Sequence, residues 1–288
     1  MIVGRLAPVA LAVLLAACGG GASSAPGGGG GALRVSGSTT VNPVAADAAD
    51  VLRREGLRVT VDTQGGSAGG IVQLAAGQIE IAMSSKEVSE DDRKAHPSVD
   101  FVATEIGADA VGVVVRKEVF DGGVRSLTRD QLKAVFEGRV ANWSELGGPD
   151  LPVFVYDKEP GRGTREVLDK YLYGKGGKAP PPPRSDNYAI VGGNEEARAK
   201  LLSTPGSVGP LSSAFVADRP ELVAVAIEGV TPTSEHIRDG SYPMSRPLFL
   251  VTDGKPAGPA ERFVDFVVSA PGQQLLTRHG YLTLAELG

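Results

Sequence analysis

Three times in succession, between residues 33 and 86, the chain runs from a short apolar segment into a loop of glycine and hydroxyl residues. Leu33 to Ser36 ends in Gly37-Ser38-Thr39-Thr40, and Pro43 then opens an alanine-rich helix through Arg54. Leu57 to Thr63 alternates apolar and polar residues, as a strand does, and leads through Gly65-Gly66-Ser67-Ala68-Gly69-Gly70 into a helix from Ile71 to Ala76. Ile79 to Met83 is a third strand ending in Ser84-Ser85-Lys86. Strands alternating with helices predict an α/β fold with a parallel sheet. In such sheets ligands bind outside the carboxyl ends of the strands. Helix N-termini there expose unpaired N–H groups and a partial positive charge, and both favour an anion. Serine and threonine hydroxyls can add donors of their own.

The pattern continues less regularly. Phe101 to Ile106 and Ala110 to Arg116 read as two strands with Gly107-Ala108-Asp109 between them. Thr128 caps a helix to Glu137, and Val153 to Tyr156 is a strand. It leads through Lys158-Glu159-Pro160-Gly161-Arg162-Gly163-Thr164-Arg165 into a helix ending at Tyr173. The proline-rich stretch that follows is a surface loop. A helix from Glu195 to Leu202, strands at Val223–Ile227 and Pro247–Thr252, and helices at Glu261–Ser269 and Gly272–His279 complete the reading. Trp143 is expected to pack beneath the second half of the molecule.

The N-terminus reads as a processing segment. Arg5 supplies a positive charge, and Leu6 to Leu15 is an apolar run too short to span a bilayer, which takes about 20 helical residues. Leu15-Ala16-Ala17-Cys18 follows, with the only cysteine of the chain. This order resembles a bacterial lipobox, so residues 1–17 are expected to be a signal peptide and Cys18 a lipidation site. Residues 18–32, glycine-rich from Gly19 to Gly31, would then be a lipid anchor and tether reaching on the order of 20 Å. The net charge of −5 argues against a nucleic-acid partner. It does not argue against a small anion held by oriented N–H groups.

Six segments, in order, resemble the phosphate-binding substrate-binding proteins of bacterial ABC transporters: Gly-Ser-Thr-Thr at 37–40, Gly-Gly-Ser-Ala-Gly-Gly at 65–70, Ser-Ser-Lys at 84–86, Asn-Trp-Ser-Glu-Leu-Gly at 142–147, Gly-x-Gly-Thr-Arg at 161–165, and Tyr-Pro-Met-Ser-Arg-Pro-Leu at 242–248. The resemblance runs from about Val35 to Leu284. It implies a two-lobed periplasmic-binding-protein fold of the α/β class, with the ligand in a cleft between lobes and two hinge crossings, near Ala110–Val115 and Pro247–Val251. Lobe I would be 33–109 with 247–288, and lobe II 110–246. Carried over residue by residue, the resemblance places Ser38, Thr39, Thr40, Ser67 and Ser85 on one side of the anion, and Gly163 and Thr164 on the other. It further implies delivery of phosphate to a permease and ATPase, a monomeric protein, no cofactor or metal, and no catalysis.

Two departures from the family pattern bear on the ligand. Lys158 stands where the best-known members have an arginine, and it offers a point charge where arginine grips two oxygens. Arg162 and Arg165 are candidates to restore the fork. Ser85 stands where those members have an aspartate, whose carboxylate takes the proton that phosphate keeps and sulfate lacks. Asp109, between the two strands of the first crossing, is the candidate replacement acceptor, with a plain turn-capping role as the alternative. Sulfate, molybdate or tungstate would also suit a site without the aspartate, and a sensing role remains open beside transport. An enzyme needs a nucleophile with a base, and His96, His236 and His279 all lie away from the anion loops.

Overall fold

The structure is a computed structural model that describes Met1 and residues 32–288 except Lys178 and Arg184. Cys18, and the expected leader and tether apart from their end residues, lie outside the described residues. The strands are β1 (Leu33–Gly37), β2 (Val59–Asp62), β3 (Ile81–Ser84), β4 (Phe101–Arg116), β5 (Ser126–Leu127), β6 (Phe154–Lys158), β7 (Tyr188–Val191), β8 (Ser207–Ser212), β9 (Leu222–Ile227) and β10 (Ser245–Asp253). The helices that position the site are α1 (Asn42–Arg54), α2 (Gly66–Ala75), α3 (Glu90–Ala95), α4 (Lys117–Asp121), α5 (Arg129–Phe136), α6 (Gly163–Tyr173) and α7 (Asn194–Ser203). No helix among the described residues is long and apolar enough to cross a membrane.

β4 organises the architecture. Nine of its first ten residues pair with β10, which pairs antiparallel with β3 on its other edge. Its remaining residues pair with β8 and β9. On the first side, β2, β1 and β3 are parallel, as the repeated strand–loop–helix units predict. On the second side, β6 runs parallel to both β7 and β8. The sheet is therefore parallel in its wings and antiparallel where the chain crosses between lobes.

Each half has its own core on both faces of its sheet. α1 packs Val44, Ala48 and Leu52 against Val35, Ile81 and Met83, while Ile71 and Leu74 of α2 cover Ala82 and Val251 on the opposite face. In the other half, Val113 and Val115 of β4 join Leu132, Trp143, Val155 and Leu168, and the intervening Val114 faces Leu201 and Leu211. That alternation is the period of two expected of a strand buried on both sides. Trp143 is fully buried there, and its indole N–H donates to the Gly206 carbonyl at 2.8 Å.

The turn expected at Gly107-Ala108-Asp109 is absent, and Phe101 to Arg116 is one strand of 16 residues. The glycine serves a bulge instead. Leu248 pairs with Gly107 and Phe249 with Glu105, so Ile106 is the extra residue, and its side chain is fully buried in the core. Gly107 has φ +154, and a Cβ there would stand 2.3 Å from the Leu282 carbonyl oxygen. The C-terminal segment docks against the strand at this point, with Ala108 and Leu282 exchanging backbone hydrogen bonds.

Candidate functional site

A cavity with about 210 Å³ of empty space lies where four helices begin. It is far smaller than a drug-sized pocket, so it suits a small ion. α1, α2, α6 and α7 all start without a side-chain cap. The cavity lining includes Gly66 and Ser67 from α2, Gly163 and Thr164 from α6, and Asn194 from α7. Thr40 lines it two residues before α1. Uncapped helix starts present N–H groups and positive partial charge to whatever lies ahead of them.

The first loop is held tightly. Gly37 has φ +132, and a Cβ there would lie 2.4 Å from the Met83 carbonyl oxygen, so only glycine fits between the loop and β3. Ser38 Oγ accepts from the Thr40 and Val41 N–H groups and donates to Ser85 Oγ at 3.0 Å. Ser67 Oγ accepts from the Ser85 N–H at 3.1 Å. Three hydroxyls from three loops thus form one buried cluster.

The second half supplies the charge. Lys158, at the end of β6, is only 1% exposed, and its Nζ donates to the Gly193 carbonyl at 2.8 Å. Burial first, then the nearby Arg162 and Arg246 charges, bring its ammonium down to about 7. Arg162 lines the cavity while its Nε and Nη2 donate to Glu159 Oε2. No carboxylate stands among the described lining residues.

The halves meet around this cavity. The Ala68 N–H donates to the Gly161 carbonyl at 3.2 Å, Asn194 Nδ2 donates to Thr40 Oγ1 at 2.9 Å, and Lys86 pairs with Glu166 at 3.1 Å. The conformation is closed.

Of the residues expected from sequence, Ser38, Thr39, Thr40, Ser67, Ser85, Lys158, Arg162, Gly163 and Thr164 are brought together on the lining. Two are not. Arg165 turns away from the cavity because it follows Thr164 by about 100° around the helix. Its guanidinium donates to Asp157, to the Lys158 carbonyl and to Asp169, bracing β6 from behind. Asp109, the expected proton acceptor, is also off the lining. Arg246 lies directly opposite it on β10. Asp109 Oδ2 accepts from Arg246 Nε and Nη2 at 3.1 and 2.7 Å, while Oδ1 accepts from Ser212 and Ser213. Burial pushes the Asp109 carboxyl upward, and Arg246 and the two serines pull against that. A buried carboxylate takes partners where it finds them, and here the protein supplies them all.

Two residues escaped the sequence reading. Asn194 follows Gly192-Gly193 and repeats the strand–glycine–helix pattern, but β7 is only four residues long and leaves its loop unmarked. Arg246 sits in the Tyr-Pro-Met-Ser-Arg-Pro-Leu segment quoted above. A charge inside an otherwise apolar strand is the signal that it has a buried partner.

Known proteins resemble the chain over most of its length. The model of the PBP superfamily domain matches residues 22–271. The phosphate-binding protein PstS of Bacillus subtilis (strain 168) is 26% identical over 258 residues, which cover 89% of this chain and 82% of the relative. A structure described as a phosphate ABC transporter substrate-binding protein with bound phosphate, from Clostridium perfringens, superposes with a TM-score of 0.77 at 27% identity. It covers 88% of this chain and 100% of its own. An ABC-type phosphate transport receptor from Vibrio cholerae gives 0.68 at 25% identity, covering 87% of this chain and 99% of its own. With its two-lobed α/β architecture and a match over most of its length, the chain belongs to the PBP superfamily.

Proposed function

We propose that this protein binds inorganic phosphate between its lobes and delivers it to an ABC importer. The observation that carries the reading is the convergence of four uncapped helix starts, a hydroxyl cluster and two cations on one small closed cavity. Relatives that are phosphate-binding proteins point the same way. Thr39, Thr40, Ser67, Ser85, Gly163 and Thr164 would donate to the oxyanion, with Lys158 and Arg162 balancing its charge; Ser38, whose N–H and hydroxyl donate to the Met83 carbonyl and to Ser85 Oγ, would hold the loop and orient the Ser85 hydroxyl. The lobes would close about crossings in β4 and β10, dividing the chain into 33–109 with 247–288 and 110–246. Such closure is a hinge motion about a few residues.

The role is binding and not catalysis, carried out by a monomer that partners a permease and an ATPase. His96, His236 and His279 stand apart from the cavity, so the reading gives it no general base. The lipobox-like Leu-Ala-Ala-Cys at 15–18 supports an extracytoplasmic protein tethered to a membrane through lipid on Cys18.

A second reading rests on one observation. The described lining lacks a carboxylate, so a fully ionised oxyanion such as sulfate, molybdate or tungstate meets no repelling group. Calorimetric titration of anion-free protein with phosphate and with sulfate separates the two. Tight phosphate binding with little sulfate heat supports the first reading. Sulfate binding as tight or tighter moves the ligand to the second, and no heat with any oxyanion removes both.

A further inference from the structure

Arg246 lies behind the cavity wall, 3% exposed, and is absent from the lining. Its guanidinium nevertheless touches both sides of the site. Nη2 donates to Thr40 Oγ1 and Nη1 to Thr164 Oγ1, each at 3.0 Å, while Nε and Nη2 hold Asp109. Thr40 belongs to the loop between β1 and α1, and Thr164 to α6, so one side chain joins the two halves. A hydroxyl has one proton to give and two lone pairs to fill. Thr40 Oγ1 already accepts from Arg246 and from Asn194 Nδ2, so its own proton has to be donated elsewhere. The cavity lies in front of it. Thr164 Oγ1 accepts from Arg246 in the same way.

We propose that Arg246, tethered by Asp109, is a positioning residue that fixes the Thr40 and Thr164 hydroxyls as donors aimed at the bound oxyanion from the two lobes. This gives Asp109 a job other than proton acceptor: it fixes the plane of the guanidinium. A planar fork can serve two hydroxyls and a carboxylate at once, which an ammonium cannot. The assignment rests on the oxyanion-binding reading above.

The test separates positioning from mere support of the fold. Arg246→Lys keeps a charge beside Asp109, so the anion-free protein should melt within a few degrees of wild type. Its phosphate affinity should fall on the order of 10- to 100-fold, the scale of hydrogen bonds lost to a charged group. Double-mutant cycles then ask whether the arginine acts through the hydroxyls. In wild type, Thr40→Val and Thr164→Val should each weaken phosphate binding about tenfold; in the Arg246→Lys background each should add less than about threefold. If Arg246→Lys does not fold, the same cycles run in Asp109→Asn/Arg246→Gln, which removes both buried charges together. Undiminished threonine effects in the altered background, or wild-type affinity in Arg246→Lys, would overturn the assignment while leaving oxyanion binding in place. Absence of binding in wild type would instead bring down the reading on which it rests.

Discussion

Lys158 shows how one residue carries both a cost and a function. Its ammonium is buried beside Arg162 and Arg246, which brings it down from an ordinary 10.5 to about 7. The sign follows from linkage. Between about 7 and the ordinary lysine range, the unfolded chain binds more protons than the closed form, so the stability of the closed form rises with pH across that window. A bound oxyanion reverses the balance by favouring the charged lysine. Phosphate binding at a pH near 8.5, where the free ligand is predominantly the dianion, should therefore take up a proton. Titrations in two buffers of different ionisation enthalpy measure that uptake. In Lys158→Met the uptake should vanish, affinity should fall on the order of 100-fold or more for a lost buried charge contact, and the pH slope of stability should flatten. At this scale the glycine and hydroxyl loops at strand ends marked where an anion would sit, and the family resemblance named the individual residues that the cavity lining brings together. The pairing of Asp109 with Arg246 was not legible because the two are 137 residues apart in sequence, and only the register of β4 against β10 brings them together.

The helix starts matter more as elements than as residues. α6 enters the site with Gly163, where a Cβ would lie 2.4 Å from Ser85 Oγ and 2.6 Å from the Ser85 carbonyl oxygen. Both clashes are with the other half of the molecule, so they arise only on closure. Gly163→Ala should leave the melting temperature of the anion-free protein near wild type while weakening phosphate binding on the order of 10- to 100-fold, the scale of a steric cost of 1–3 kcal/mol. A large loss of anion-free stability would place the clash inside one lobe and contradict the closed geometry. Gly107 is the contrasting case. Its added Cβ would meet the Leu282 carbonyl at 2.3 Å and Leu276 Cδ2 at 2.4 Å within a single packed core. Gly107→Ala should therefore cost stability, about 1–3 kcal/mol as overpacking does, with urea unfolding as the measurement. The elements that sequence pattern marks best are those with long periods or glycine borders, such as α1 and the loops after β1 and β2. The short β7 and the continuous β4 were obscured by the same fact, that glycine marks a bulge or a close approach as readily as a turn.

At the scale of the whole molecule, closure is a balance between the anion and a few contacts across the cleft. Trp143 does not report that balance, since it is fully buried in one core and bonded to Gly206 within the same half. The contact placed to act as a latch is Lys86 with Glu166. Lys86 is held on its own side by Asp92 at 3.3 Å, so its ammonium is already oriented when α6 approaches. Glu166 lies one turn into α6, past the clash-sensitive Gly163, and its side chain is 43% exposed. With Glu166 partly in solvent, although Lys86 is only 9% exposed, the pair is worth about 1 kcal/mol and is screened by salt. It forms after the lobes have met, so it should slow release and leave capture untouched. Glu166→Gln should raise the phosphate dissociation rate about twofold to fivefold, with the association rate unchanged, when both are followed by stopped-flow. Raising the ionic strength should shrink the difference between variant and wild type, because the wild-type latch itself weakens. An altered association rate would mean that the pair forms before the lobes close, and an unchanged dissociation rate would leave the oxyanion itself, through the hydroxyls, helix starts and cations around it, as the main tie between the two halves.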